Sequence, residues 1–173
     1  MPASYQAPSR KDKSSDTTYS QSAQTNTSAE TANVQKILQS KDKAVFSIRP
    51  QQTIHDAVEI LRDKRIGALL VMDAEGHLVG ILSERDIVRK LADTPGKTLP
   101  NRVEDVMTRD VEVCTPDEPL LSVLRRMTAG RFRHMPVAAD NGVVGIVTIG
   151  DVVNFRLKEL EHEALQLKQL IVG

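Results

Sequence analysis

The chain has 173 residues, and its 23 Lys and Arg balance 23 Asp and Glu, for a formal net charge of zero. That length suits one ordinary domain or two very small ones, and the even balance excludes a globally basic nucleic-acid binder, so a charged ligand has to be met by a local cluster. With no Trp and only 3% aromatic residues, the core must be drawn from Val, Ile and Leu, which suits strands packed on helices.

Residues 1–31 are rich in Ser, Thr, Gln and Ala and almost free of large aliphatics, a composition that cannot offset its ordering entropy by burial; they are expected to form a disordered tail. They lack the apolar stretch of a secretory signal. The scarcity of Arg, together with Asp12, Asp16 and Glu30, argues against an organelle transit peptide. No apolar run reaches the ~18 residues of a membrane span, so the cytoplasm is the default expectation.

A first repeat is assigned to residues 36–93. It opens with a short strand at 45–48, stopped by Pro50, which cannot continue a ladder. Ile54, Ala57, Val58 and Leu61 then follow helical spacing, with Thr53 placed to cap the start and Asp56 in the first turn. Strands at 68–73 and 77–82 flank the turn cluster Asp73-Ala74-Glu75-Gly76, and a helix is predicted over 84–92. Asp93 to Leu99, with Pro95 and Gly96, reads as a linker.

The second repeat, 94–157, has the same order: strand 111–114, a helix from Leu120, strands 134–138 and 143–147 about Asp140-Asn141-Gly142, and a helix over 149–170. Val45-Phe46-Ser47-Ile48 lies over Val111-Glu112-Val113-Cys114 and Ala68-Leu69-Leu70-Val71 over His134-Met135-Pro136-Val137, both at an offset of 66 residues. From Gly80 and Gly145 onward the offset is 65, so one residue, assigned to His77, has been dropped in the turn, where such changes are tolerated. The fold class is therefore α+β: two β-α-β-β-α repeats packed sheet to sheet around a shared core as one pseudo-twofold module. The last helix runs on through 158–173, and Val152, Phe155, Leu160, Leu167, Leu170 and Ile171 predict packing partly on the domain and partly on another chain. Cys114, the single cysteine, excludes an internal disulfide and reads as a small buried hydrophobe.

Two stretches carry chemistry. In Gly80-Ile81-Leu82-Ser83-Glu84-Arg85-Asp86 and Gly145-Ile146-Val147-Thr148-Ile149-Gly150-Asp151, a hydroxyl ends a strand and a carboxylate follows three residues later in the first turn of a helix. Unpaired N–H groups and the positive end of the helix dipole favour a phosphate there. The hydroxyl can donate to it, and the carboxylate can accept from vicinal ribose hydroxyls. The same Ser/Thr-x-x-Asp pattern is also a capping box that does no more than stabilise a helix. Duplication at equivalent positions favours a ligand, as do the nearby cations Lys64, Arg65 and Arg85 in one half and Arg131, Arg133 and His134 in the other.

On residues 66–90, 104–120, 131–137 and 142–153, which contain these stretches, the chain resembles the tandem CBS-domain (Bateman module) family, in particular its stand-alone CBS-pair members. The resemblance implies an adenine-nucleotide ligand: AMP, ADP or ATP, or else NAD(H) or S-adenosylmethionine. It also implies that Asp86 and Asp151 bind ribose and that Ser83 and Thr148 are the phosphate-side hydroxyls. Adenine would lie against Ser47-Ile48 and Gly67-Ala68 in one cleft, and against Val113 to Thr115 and His134-Met135 in the other. Ile48 and Met135 would cover its face, while Arg85 and Arg133 are candidates for phosphate contacts.

No catalytic constellation is present. The four histidines lack metal-ligand spacing, so no metal site and no catalytic cofactor are expected. Gly145-x-x-x-x-Gly150 is no phosphate-binding loop of a hydrolase, because Asp151 stands where that loop requires Lys. The expected function is a non-catalytic regulatory sensor that binds an adenine nucleotide, forms a homodimer and signals to a partner whose identity the sequence does not give. The alternative is a structural dimerisation module with vestigial clefts. Nucleic-acid binding is disfavoured because aromatic stacking residues are missing.

Overall fold

A computed structural model of the chain describes residues 32–41 and 44–172. The tail expected at 1–31 lies outside the described residues. The elements run α1 (Val34–Ser40), β1 (Ser47–Ile48), α2 (Ile54–Lys64), β2 (Ala68–Met72), β3 (Leu78–Ser83), α3 (Glu84–Asp93), a single 3-10 turn at Val103–Asp105, α4 (Leu120–Gly130), β4 (His134–Ala139), β5 (Gly142–Thr148) and α5 (Ile149–Val172). The architecture is the α+β tandem repeat read from the sequence. Among the described residues no helix is long and apolar enough to cross a membrane.

The first sheet has the order β1-β2-β3, with β1 parallel and β3 antiparallel to β2; the second is the antiparallel pair β4-β5. Both hairpins shift register at matched places, between Val71 and Met72 and between Val137 and Ala138. Their turns differ by the residue dropped at His77.

The strand expected at 111–114 is reduced to one parallel bridge between Cys114 and Val137. The reason lies across the ladder. In the first repeat Leu70 N–H donates to Phe46 O at 3.1 Å; the matching position in the second repeat is Pro136, which has no N–H to give. Only the bonds Cys114 N–H to Pro136 O and Ala138 N–H to Cys114 O remain, at 3.0 and 2.9 Å. The Cys114 side chain is buried as expected, and burial pushes its thiol up to about 12.

The shared core expected from the repeat pattern resolves into two clusters, one per repeat, each completed by the segment that leads into the other repeat's first strand position. Helix α1, which the sequence reading did not include, sends Val34 and Ile37 into the second core beside Leu120, Val123, Met127, Met135 and Val147. Its backbone is tied there by Val34 N–H to Glu118 O (3.0 Å) and Gln35 N–H to Pro116 O (2.8 Å). In return, Val103 and Met107, which follow the linker, enter the first core with Ile48, Ile54, Leu69, Val71 and Leu82. Thr108 pairs with Ile81 through two backbone bonds of 2.9 Å.

This exchange makes α1 part of the second repeat's folding unit. Ile37→Ala should therefore cost about 2–5 kcal/mol, as for other buried large-to-small changes. Urea unfolding will read it, and a loss below about 1 kcal/mol would detach α1 from that core.

Candidate functional site

Both strand-to-helix junctions form as predicted, and both are capping boxes. At the first, β3 ends in Ser83 with extended backbone and α3 begins at Glu84. The Asp86 carboxylate accepts from Ser83 N–H at 2.9 Å and from the Ser83 hydroxyl at 2.6 Å, both through Oδ2. Its second oxygen, Oδ1, has no hydrogen-bond partner among the described residues. At the second junction Thr148 N–H donates to Asp151 Oδ2 at 2.9 Å, and Asp151 N–H donates back to the Thr148 hydroxyl at 3.0 Å. The stabilising reading of Ser/Thr-x-x-Asp is thus fulfilled at both places, and a ligand role has to rest on what surrounds them.

Around the first junction the surroundings form a cleft of about 330 Å³ between the two halves. Gly67, Ser83, Arg85, Asp86 and Arg89 line it from the first repeat, and Arg131, Phe132, Arg133 and His134 from the second. The stretch Asp110 to Glu112 closes another wall. Arg85 reaches across and donates to Arg131 O at 2.5 Å. Arg131 ends α4 in the left-handed conformation (φ 57°), as Arg65 ends α2 at the matching position (φ 54°). That turn lifts the Arg131–Arg133 segment over the first junction. His134 stands close to Gly67: a Cβ added there would lie 3.1 Å from His134 Nε2. Burial, reinforced by the neighbouring Arg133 charge, holds the imidazole below its ordinary value of 6.5.

Seven of the residues singled out from the sequence therefore meet in one cleft: Gly67, Ser83, Arg85, Asp86, Arg131, Arg133 and His134. The others lie elsewhere. Ile48, Ala68 and Met135 are packed into the cores, at 2%, 6% and 0% exposure, so their side chains present no face to a ligand and only their backbones remain to serve one. Ser47 and Thr115 are exposed, and Val113 borders an open groove between the two hairpin tips. Thr148 and Asp151 lie at the other junction, where the Lys41 ammonium is 2.7 Å from Asp151 Oδ2. Lys64 sits over the Phe46 ring, 5.4 Å from its centroid, apart from the cleft.

Arg89, Asp110, Glu112 and Phe132 are cleft residues to which the sequence reading gave no site role. Arg89 carried a usable signal, since it follows Arg85 by one helical turn on the same face of α3. Asp110 and Glu112 carried none, because their place depends on how the linker returns. The lining thus mixes four arginines with Glu84, Asp86, Asp110 and Glu112, so both signs of charge face the cleft.

Residues 38–93 and 103–158 each match the sequence model of one family, described as CBS domain. The mitochondrial CBS domain-containing protein CBSX3 of Arabidopsis thaliana is 32% identical over 152 residues, 83% of this chain and 74% of that protein. Among solved structures, the CBS-domain containing protein ATU1752 from Agrobacterium tumefaciens is similar with a TM-score of 0.71 at 36% identity, covering 73% of this chain and 94% of that one. The CBS domain pair of protein MJ0100, solved in complex with 5'-methylthioadenosine and S-adenosyl-L-methionine, is similar with a TM-score of 0.65 at 30% identity, over 74% of this chain and 98% of that one.

The depressed His134 value makes a directional prediction. A histidine that binds its proton less readily folded than unfolded costs stability as pH falls through 6.5 toward its folded value, and costs nothing above that. Urea midpoints taken at about pH 7.5 and about pH 5.5 should therefore fall more for the native protein than for His134→Asn. Equal losses would mean that the imidazole is as free in the cleft as in the unfolded chain.

Proposed function

The chain belongs to the CBS-domain family, as a tandem pair, and from that premise we propose that it is a non-catalytic sensor whose inter-repeat cleft binds an adenine nucleotide. One observation carries the reading: the first junction opens, with a carboxylate oxygen to spare, into a cleft that also collects arginines from both repeats. Asp86 would accept the ribose hydroxyls. The Ser83 hydroxyl and the first N–H groups of α3 would receive the phosphate, with Arg85 and Arg133 supplying its counter-charge. The Gly67 backbone and the neutral face of His134 would border the base. Thr148 and Asp151 carry the same pair of groups at the second junction, where Lys41 already holds Asp151.

The adenosyl compounds named in the MJ0100 complex share ribose and adenine with AMP, ADP, ATP and NAD(H), so they support the class of ligand and leave the choice within it to measurement. A ligand that touches both repeats shifts their relative orientation in proportion to its differential affinity for the two arrangements. A partner protein would sense that orientation.

A second reading, assembly through the helices, is favoured by one feature. Leu157, Leu160, Leu165, Leu167, Leu170 and Ile171 on α5 are all exposed, beside an apolar hollow lined by Leu120, Leu121, Leu124, Val152, Val153 and Phe155. The proposed arrangement is a homodimer built on this face, which is compatible with sensing. Deleting residues 158–173 should leave a monomer by light scattering with nucleotide binding intact; an unchanged mass would remove α5 from the assembly.

The sensor reading is tested by thermal melting with AMP, ADP, ATP, NADH and S-adenosylmethionine in turn. At about 100 times Kd a ligand adds about 2.7 kcal/mol to stability, which raises the midpoint by a few degrees in a domain of this size. At least one compound should produce that shift, and Asp86→Ala, measured from its own baseline, should lose most of it. No shift with any of the five would overturn the proposal.

A further inference from the structure

The two junctions have the same motif and the same reciprocal backbone bonds, yet they are not equivalent. The difference comes from the segments exchanged between the repeats. Over β3, Met107 covers Gly80, so closely that a Cβ on that glycine would lie 2.5 Å from its sulfur. Over β5, Leu38 covers Gly145 in the same manner, with a corresponding distance of 2.6 Å. Met107 and Leu38 are thus spatial counterparts. Three residues beyond Met107 comes Asp110, and three beyond Leu38 comes Lys41. The charge is reversed.

The consequence reaches the carboxylates. At the first junction Ile81 O is taken by the Thr108 backbone N–H, and Asp110 lines the open cleft together with Asp86; a carboxylate cannot pair with a carboxylate. At the second, the Lys41 ammonium occupies the matching carbonyl, Ile146 O, at 3.5 Å and donates to Asp151 Oδ2 at 2.7 Å. Both partners are partly shielded, with 34% of the Lys41 side chain and 23% of the Asp151 side chain exposed. Asp151 Oδ2 is then filled by Thr148 N–H and by a cation. At Asp86 the corresponding second donor is the chain's own Ser83 hydroxyl, which is uncharged and turns away by rotation about one bond. A ribose that engages the carboxylate through both oxygens must, at the second junction, displace a charge-assisted bond at Oδ2.

Resting on the nucleotide reading of the clefts, we propose that Lys41 is a built-in latch on the second junction: it competes with the ribose of a nucleotide for Asp151, so that this protein binds one adenylate per chain, at Asp86. Lys41 is a specificity-determining residue between the two sites, and it belongs to α1's end of the chain, where a change in that segment would release it.

Isothermal titration of the full chain with AMP, or with whichever adenine nucleotide gives the largest melting shift, decides the matter. The native protein should bind one equivalent, and Asp86→Ala should bind none. Lys41→Met, which keeps the unbranched aliphatic stem and removes the charge, should bind two. Lys41→Met combined with Asp86→Ala should return to one, now at the second junction. Retention of a full equivalent by Asp86→Ala alone would overturn the latch, and so would a Lys41→Met protein that stays at one equivalent with an unchanged melting temperature. A lowered affinity at an unchanged single equivalent in Lys41→Met would also overturn it, by making Lys41 a phosphate contact. Binding by no protein of the set would instead remove the nucleotide reading itself, and the latch with it.

Discussion

The rest of the structure depends on a crossed exchange. Each repeat buries a sheet and a helix, and each leaves a gap that is filled by the leading segment of its partner: Val34 and Ile37 for the second core, Val103 and Met107 for the first. The two clusters are tied together, because each borrows apolar side chains whose chain continues into the other. At roughly 25 cal/mol per Å² of apolar surface removed from water, even a handful of such residues is comparable with the marginal stability of a small domain. The exchange thus fixes how the halves face each other, and hence what lies opposite each strand-to-helix junction.

From that placement follows the chemistry of the cleft. The left-handed end of α4 at Arg131 turns the chain toward the first junction, and the bond from Arg85 to Arg131 O closes the crossing. Cations from one repeat come to rest beside the helix start and carboxylate of the other. Neither repeat holds a complete site. A ligand bound there would touch both repeats and would shift their relation by its differential affinity for the two arrangements, which is what the proposed sensor requires.

Much of this was legible in the sequence because it is local. The capping boxes at Thr53-Asp56 and Ser83-Asp86, the helical spacing of Ile54, Ala57 and Leu61, and the turn that absorbs the extra His77 are each set by residues within a few positions of one another. Other features are set by distant partners. Strand 111–114 fails for want of an N–H at Pro136, a defect visible only once the two are known to pair. Helix α1 is seven residues long, too short to persist alone, and is held by a core built mostly from residues more than 80 positions away. The side chains of Ile48 and Met135 point into the cores rather than toward a ligand, which depends on strand phase and not on composition. Lys41 lies outside both repeated motifs, so nothing in the duplication pointed to Asp151 as its partner.

The central claim is that the carboxylate of Asp86 is a sugar acceptor as well as a helix cap. A crystal grown with millimolar AMP tests it most directly. The account predicts the ribose hydroxyls within hydrogen-bond distance of Asp86, the phosphate toward Ser83 and Arg85, and Lys41 still against Asp151. Density for solvent alone beside Asp86, or for the nucleotide lodged at Asp151 instead, would contradict it.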